Sequence, residues 1–272
     1  MPRYPIADVL ETLFRIELVS GDLMTPKNGQ SAKPGERTNP EGKPVRNILL
    51  LSIPDSEYQL VRPHLEFVEL RYRATLHEPN QQIGFVYFPN GGVVSIVVAM
   101  ADGNTVEAGI VGVEGLLGLP WAVGLNRSPH RAIVQIAGNG FQVEVDALQQ
   151  ILSSSPLLQN ALSRCAVVRG MQVAQTAACN RLHDTEQRLA RWLLMTQDRV
   201  DSEWLPITHD FLAIMLGTAR PSVSRAAESL QTKGMIEYPR GAVRILNRKG
   251  LESSACECYG AIQQFNGELG LK

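Results

Sequence analysis

The residues best placed to do chemistry lie close together near the C-terminus. Arg220, Ser222, Ser224 and Arg225 surround Pro221. On a helix begun by that proline they project from its first turns, where guanidinium and hydroxyl groups reach base edges in a major groove. Arg240 follows in the turn Pro239-Arg240-Gly241. Between Leu205 and Gly250 seven basic residues (Arg220, Arg225, Lys233, Arg240, Arg244, Arg248, Lys249) stand against three acidic ones (Asp210, Glu228, Glu237). Over the whole chain 26 basic residues balance 27 acidic ones, for a net charge of -1. The positive surface that phosphate contact requires is therefore local.

Other chemistries find less support. No paired carboxylates, Ser/His/Asp set or metal-ligand spacing falls within one motif, so the chain is not read as an enzyme. Cys165, Cys179, Cys256 and Cys258 are too few and too late for a disulfide framework. Cys256 and Cys258 do not form CxxC and no second Cys/His pair at metal spacing lies near them in sequence, so neither a metal nor a cofactor is assigned. His64, His77 and His130 are isolated, as structural histidines are. Gly109, Gly112, Gly115 and Gly118 match neither GxGxxG nor a P-loop and read as turns and close backbone approaches.

The elements that must position the basic cluster can be traced back from it. Thr208 caps a helix from His209 to Leu216, Gly217 makes the turn, and a second helix runs from Arg220 to Lys233 and stops at Gly234. Ala213, Gly217 and Val223 meet the demands of a helix-turn-helix: a small residue where the helices touch, positive φ at the turn, an apolar residue packing the second helix onto the first. A strand, the turn at 239–241 and the strand Val243 to Leu246 form a wing. Upstream, Asp184 with Gln187 reads as a capping box that starts a helix, with a hinge at Leu182 to Asp184. Before the hinge a long helix begins at Pro156, with Ala161, Cys165, Val168, Gln172, Gln175, Cys179 and Leu182 approximating a seam for a partner helix.

The N-terminal half has a different period. Phe85 to Phe88, Val93 to Met100 and Val106 to Val113 are separated by Asn90-Gly91 and Asp102-Gly103, the strongest hairpin signals, and Arg131 to Ile136 and Phe141 to Val145 extend an antiparallel β meander. Residues 5–19 have helical apolar spacing. Ser20 to Asn47, rich in Pro and Gly, reads as a flexible linker. With 272 residues, 44% hydrophobic and 19% charged, the chain suits a globular protein of two domains. Its longest apolar run is far short of the roughly 20 residues of a membrane helix, and no signal peptide is read, so a cytoplasmic location is expected.

The order of β meander, long helix and winged helix, with FVYFPNGGVVSIV, DGNTVEAGIVGVEGLLGL, SPHRAIVQ, TAACNRLH and LAIMLGTARPSVSRAAESLQTKGMIEYPRG, resembles the Crp/Fnr superfamily of transcription regulators over about residues 47–259. The resemblance implies an α+β chain: a cyclic-nucleotide-binding-like β-roll sensor (47–155), a dimerisation helix and hinge (156–183), and a winged helix-turn-helix DNA-binding domain (184–272); the N-terminal helix and linker (1–46) fall outside it. It further implies a homodimer on a pseudo-palindromic operator in double-stranded DNA, with RNA polymerase and a small-molecule effector as partners. Two departures bear on the effector. Where cyclic-nucleotide binders carry Gly-Glu and Arg-Ser/Thr-Ala, this chain has Glu114-Gly115 and His130-Arg131-Ala132, which argues against cyclic AMP. Pro221 stands where the family has an acid in the recognition helix, although Arg220 and Arg225 match its two arginines. Trp121, Arg127, His130 and Arg131 are the candidates for holding a different ligand. The rival reading is a small-molecule sensor whose winged helix contacts a protein.

Overall fold

The computed structural model describes residues 32–268, apart from 123, 201 and 240. The helix read over 5–19 lies outside the described residues. The stretch read as a linker is ordered over its described part, and this corrects the sequence reading. Val45 and Asn39 are fully buried, and Arg37 Nη1 donates to Leu50 O at 2.6 Å. Polar side chains replace the missing apolar ones: Asn39 Nδ2 donates to Leu65 O at 3.1 Å. Asn47 caps α1 (Ile48–Ser52), accepting from Leu50 N at 3.3 Å, while its amide donates to Pro89 O and Gly115 O at 2.9 and 2.8 Å. Each buried polar group thus finds a partner, which a count of hydrophobic residues does not register. Helix α2 (Asp55–Val61) completes this cover.

Seven strands follow: β1 (Glu66–Leu70), β2 (Thr75–His77), β3 (Phe85–Pro89), β4 (Val93–Ala99), β5 (Thr105–Val111), β6 (Arg131–Ile136) and β7 (Gly138–Glu144). They form two antiparallel sheets, ordered β1-β7-β3 and β2-β6-β4-β5. Leu70 of β1, Val94 of β4, Val111 of β5 and Val134 of β6 share one apolar cluster between the sheets. The Asp102-Gly103 hairpin joins β4 to β5 as expected. Asn90-Gly91 does not make a hairpin, because β3 and β4 belong to different sheets and the chain crosses between them there. Asn90 is engaged elsewhere: its Oδ1 accepts from the Arg46 and Asn47 amides and its Nδ2 donates to Pro44 O at 2.9 Å. The β6-to-β7 crossing passes beside it. A Cβ on Gly138 would lie 2.3 Å from Gly91 O, and one on Gly92 2.6 Å from Ile136 O, so two sheet changes meet where only glycine allows the backbones to touch.

Helix α3 (Leu119–Ala122) sits between β5 and β6, and α4 (Val145–Leu152) leads to α5 (Pro156–Leu182), 27 residues long. The rotation of α5 differs from the seam read in sequence. Cys165, Val168, Gln172 and Cys179 are buried within their own chain, together with Leu158 and Leu162. Leu158, Leu162 and Cys165 dock on the roll, and the stripe turned to solvent is Val167, Met171, Ala174, Ala178 and Leu182, at spacings of three and four. The capping box forms as read: Asp184 Oδ1 accepts from Gln187 N at 2.9 Å, and α6 (Thr185–Val200) begins.

The C-terminal elements are β8 (Trp204–Leu205), α7 (His209–Met215), α8 (Arg220–Thr232), β9 (Ile236–Glu237), β10 (Val243–Ile245), α9 (Arg248–Ser254) and α10 (Cys258–Glu268). The three short strands pair in the order β8-β10-β9. Their core is continuous with the roll: Leu193, Leu212, Val223 and Leu230 belong to the same apolar cluster as Val93, Val97, Ile110 and Ile136. Among the described residues, no helix is long and apolar enough to cross a membrane.

Candidate functional site

The helix-turn-helix is built by local rules. Thr208 Oγ1 accepts from Phe211 N at 3.3 Å at the start of α7, Leu212 and Leu216 are buried, and Gly217 adopts φ 55° at the turn. Val223 of α8 is fully buried beneath α7. Pro221 in the first turn and Gly234 beyond the last, at φ 67°, bound the second helix. The N-terminal half of α8 faces solvent, with Arg220 and Arg225 exposed and Ser222 half-buried. Arg220 Nε pairs with Asp210 Oδ1 at 2.8 Å, an exposed bridge that binds the side chain only weakly. Arg225 is within 3.4 Å of Ser222 Oγ and forms no ion pair among the described residues. Ser224 turns inward, its Oγ 3.1 Å from His209 Nδ1, and the His209 ring in turn lies against Tyr238, tilted by 52° at 4.1 Å between ring centroids. Burial and the neighbouring Arg220 hold the His209 imidazole below its ordinary range. Ser224 therefore ties the two helices and the wing together. Arg240 lies outside the described residues.

The remaining basic residues of the cluster are mostly spent on structure. Lys233 pairs with Glu186, and Arg244 lies over the Trp204 ring at 5.2 Å while reaching Glu237 at 3.2 Å. Arg248 Nη2 reaches Asp198 at 2.6 Å. The local positive excess counted in the sequence thus narrows, on the described surface, to Arg225 and Lys249, with Arg220 held only by its exposed bridge to Asp210.

A cavity of about 390 Å³ opens in the roll between β4, β5, the 116–120 segment and α5. Its lining is chiefly apolar, including Ile96, Val98, Val111, Leu116, Leu117 and Val173. The polar groups are His77, Ser128, His130 and Arg169, with no carboxylate among the described lining residues. Of the four candidates read from sequence, His130 lines the cavity. Trp121 is half-buried against the apolar cluster around α1 and α5, Arg127 Nη1 donates to Asn80 O at 2.6 Å, and Arg131 Nε pairs with Glu78 at 2.8 Å. Strand alternation separates the last two: Ala132 faces the cavity, so Arg131 points the other way.

Arg169, which sequence reasoning missed, is the cavity's guanidinium. It comes from α5, donates to Ile110 O and reaches Gln172 Oε1 at 3.1 Å. Burial lowers its pKa, while the neighbouring Glu114 pulls it back up. A Cβ on Gly115 would stand 3.0 Å from Arg169 Nη2, so that glycine keeps the approach open.

The roll is joined to α6 of the helix-turn-helix domain through buried polar contacts. Arg199 Nε donates to Glu114 Oε1 at 2.8 Å, and a Cβ on Gly112 would lie 2.7 Å from Arg199 Cγ. Trp192 Nε1 donates to Glu107 Oε1 at 2.9 Å. Ser95 Oγ lies 2.7 Å from both Glu107 Oε2 and Gln135 Oε1. Burial pushes the Glu107 carboxyl above the usual range, against the hydrogen bonds from Ser95 and Trp192 that pull it down. The turn itself touches the roll, a Cβ on Gly217 standing 3.0 Å from Val106 Cγ2, and α6 holds it from the other side as Arg188 Nη2 donates to Leu216 O. Among the described residues, Cys179, His183, Cys256 and Cys258 form the one group able to hold a metal ion.

Residues 187–254 match the family model of the Crp-like helix-turn-helix domain. Solved structures share the fold along most of their length. FixK2 from Bradyrhizobium japonicum is 16% identical over 71% of this chain and 98% of its own, with a TM-score of 0.62. A putative transcriptional regulator of the Crp/Fnr family from Eubacterium rectale is 16% identical over 74% and 94%, with a TM-score of 0.59. The protein has a Crp/Fnr-type fold carrying a Crp-like helix-turn-helix domain. The c-di-GMP responsive global regulator CLP from Xanthomonas campestris is 17% identical over 70% of this chain and 98% of its own, at a TM-score of 0.58. No curated protein matches the sequence. In this Crp-like domain α7 and α8 are the two helices of the motif, and the matched span runs from Gln187, the capping-box residue of α6, to Ser254 at the end of α9.

Proposed function

We propose that this protein is a homodimeric transcription regulator that binds double-stranded DNA sequence-specifically, with a β-roll that senses something other than cyclic AMP. The observation that carries this reading is the exposed N-terminal half of α8 within a Crp-like helix-turn-helix domain, presenting Arg220, Ser222 and Arg225. Those groups suit guanine O6 and N7 and phosphate oxygens. The apolar stripe of Val167, Met171, Ala174, Ala178 and Leu182 on α5 supports a second copy packing helix on helix, which would set two recognition helices about one DNA turn apart. In domain terms, 47–155 together with the packed segment 32–46 would be the sensor, 156–183 the dimerisation helix and hinge, and 184–272 the DNA-binding domain.

The cavity argues for the class of effector. A cyclic nucleotide wants a carboxylate for its ribose and an arginine fork for its phosphate. Glu114 is instead committed to Arg199 and Arg131 to Glu78. A mainly apolar molecule with one anionic or strongly accepting group, set against Arg169 and His130, fits better. RNA polymerase is the further partner expected of an activator bound beside a promoter.

Selection of bound duplexes from a random library, followed by titration of the winner at increasing salt, tests the reading. A pseudo-palindrome should emerge, with affinity falling steeply as salt rises because released counterions drive binding. Absence of any enriched sequence, with only protein partners recovered, would favour the rival reading of a protein-contact winged helix.

A further inference from the structure

We infer that Cys179, His183, Cys256 and Cys258 bind one tetrahedral zinc ion, which fastens the end of α5 to the start of α10. The four ligand atoms all lie within 4.8 Å of one another. Zinc bonds of about 2.3 Å to sulfur and about 2.0 Å to nitrogen put the ligand atoms of a tetrahedron about 3.5–3.8 Å apart. Cys179 Sγ and Cys256 Sγ are 3.5 Å apart, and Cys258 Sγ and His183 Nδ1 are 3.6 Å apart. The set is assembled from two remote segments. Cys179 and His183 lie one helical turn apart at the end of α5, and Cys256 and Cys258 flank Glu257 at the entry to α10.

The surroundings are those of a ligand set and of little else. The three thiols are between 0% and 4% exposed and form an isolated cluster of their own. A disulfide would use two of them and leave the third beside an unused imidazole. His183 Nε2 is held 3.2 Å from Glu257 Oε1, which leaves Nδ1 directed at the sulfurs, the carboxylate–histidine arrangement that orients metal-bound imidazoles. Gln175 Nε2 donates to Cys258 Sγ at 3.0 Å. Three thiolates, a neutral histidine and Zn²⁺ leave one negative charge, and Arg188 and Arg191 both lie within electrostatic range of Cys179. An iron–sulfur cluster places several irons and sulfides between its cysteines and needs a wider ring of ligands than this one. Soft thiolates in a closed, four-ligand, tetrahedral set favour zinc in a structural role.

The consequence is mechanical. His183 is the capping residue of α5, in the hinge before α6, and Cys256 follows α9. Zinc would bind the hinge to the far side of the helix-turn-helix domain and displace three thiol protons as it does so.

The test uses the full-length chain, purified under reducing conditions without chelator. Plasma mass spectrometry should find one zinc per chain, and cobalt exchanged into the site should give thiolate charge-transfer bands with intense tetrahedral d–d absorption. Cys165→Ser, which alters a thiol outside the group, should retain the zinc, whereas Cys258→Ser should lose it. Should Cys258→Ser not fold, Glu257→Gln decides: it changes an exposed positioning residue and should weaken zinc about 10–100-fold against a chromogenic chelator, with rescue by Glu257→Asp. A folded parent chain that stays below a tenth of a zinc after reconstitution, that carries iron instead, or whose peptide map shows a Cys179–Cys256 disulfide overturns the assignment.

Discussion

Arg225 shows what one side chain can be asked to do. It is exposed, near the start of α8, and engages no acid among the described residues. Arg225→Ala should therefore lose about 1–3 kcal/mol of discrimination at one guanine in each half-site. A selection experiment in which the variant keeps the parent's full base preference would remove Arg225 from the reading set. Glu107 offers a titration. A carboxyl raised by burial favours the fold while protonated; that contribution is complete below the unfolded value of about 4.3 and is lost as pH rises through the folded one. Glu107→Gln cannot ionise, so its urea midpoint should gain on the parent's as pH rises from about 4. A difference that is flat with pH would mean that Glu107 is not the group responsible. At this scale legibility followed sequence distance. Thr208, Gly217 and Pro221 obey rules that span a few residues and could be read directly. Arg169 could not, because its cavity exists only once α5 is laid against β5, and neither could the cysteine group, whose Cys179 and Cys256 are 77 positions apart.

Among the elements, α5 and α6 decide how the halves are joined. Asp184→Ala removes the side-chain acceptor for Gln187 N and should cost about 1 kcal/mol in chemical denaturation. Because α6 carries Trp192 and Arg199 into the roll, the variant should also change DNA affinity without touching DNA; unchanged affinity would mean that the position of α6 does not govern binding. The solvent-facing stripe on α5 predicts that Met171→Glu turns dimers into monomers in light scattering at micromolar concentration, and a variant that stays dimeric would place the interface elsewhere. The period of α5 was legible in sequence and its rotation was not. Spacing shows that a helix has an apolar face, but here both sides carry apolar residues, and only packing on the roll decides which is spent internally. The Asn90-Gly91 turn failed for a related reason. Local turn chemistry identifies a reversal, while the sheet that the chain enters next is set by the 44–47 segment that claims Asn90.

For the whole molecule, the order of roll, long helix and helix-turn-helix was plain in the motifs, and the contact between first and last was not. Val93, Val97, Ile110 and Ile136 of the roll share a core with Leu193, Leu212 and Leu230. A ribosome delivers these groups far apart in time. Until α6 and α7 emerge, the nascent roll lacks the cover of its apolar strip on β4, β5 and β6, and a polypeptide cut short before α6 should aggregate. The same dependence holds in the finished protein: lifting the helix-turn-helix off Val106 uncovers that strip again, so any rearrangement that reorients α8 on DNA must offer these side chains a new cover.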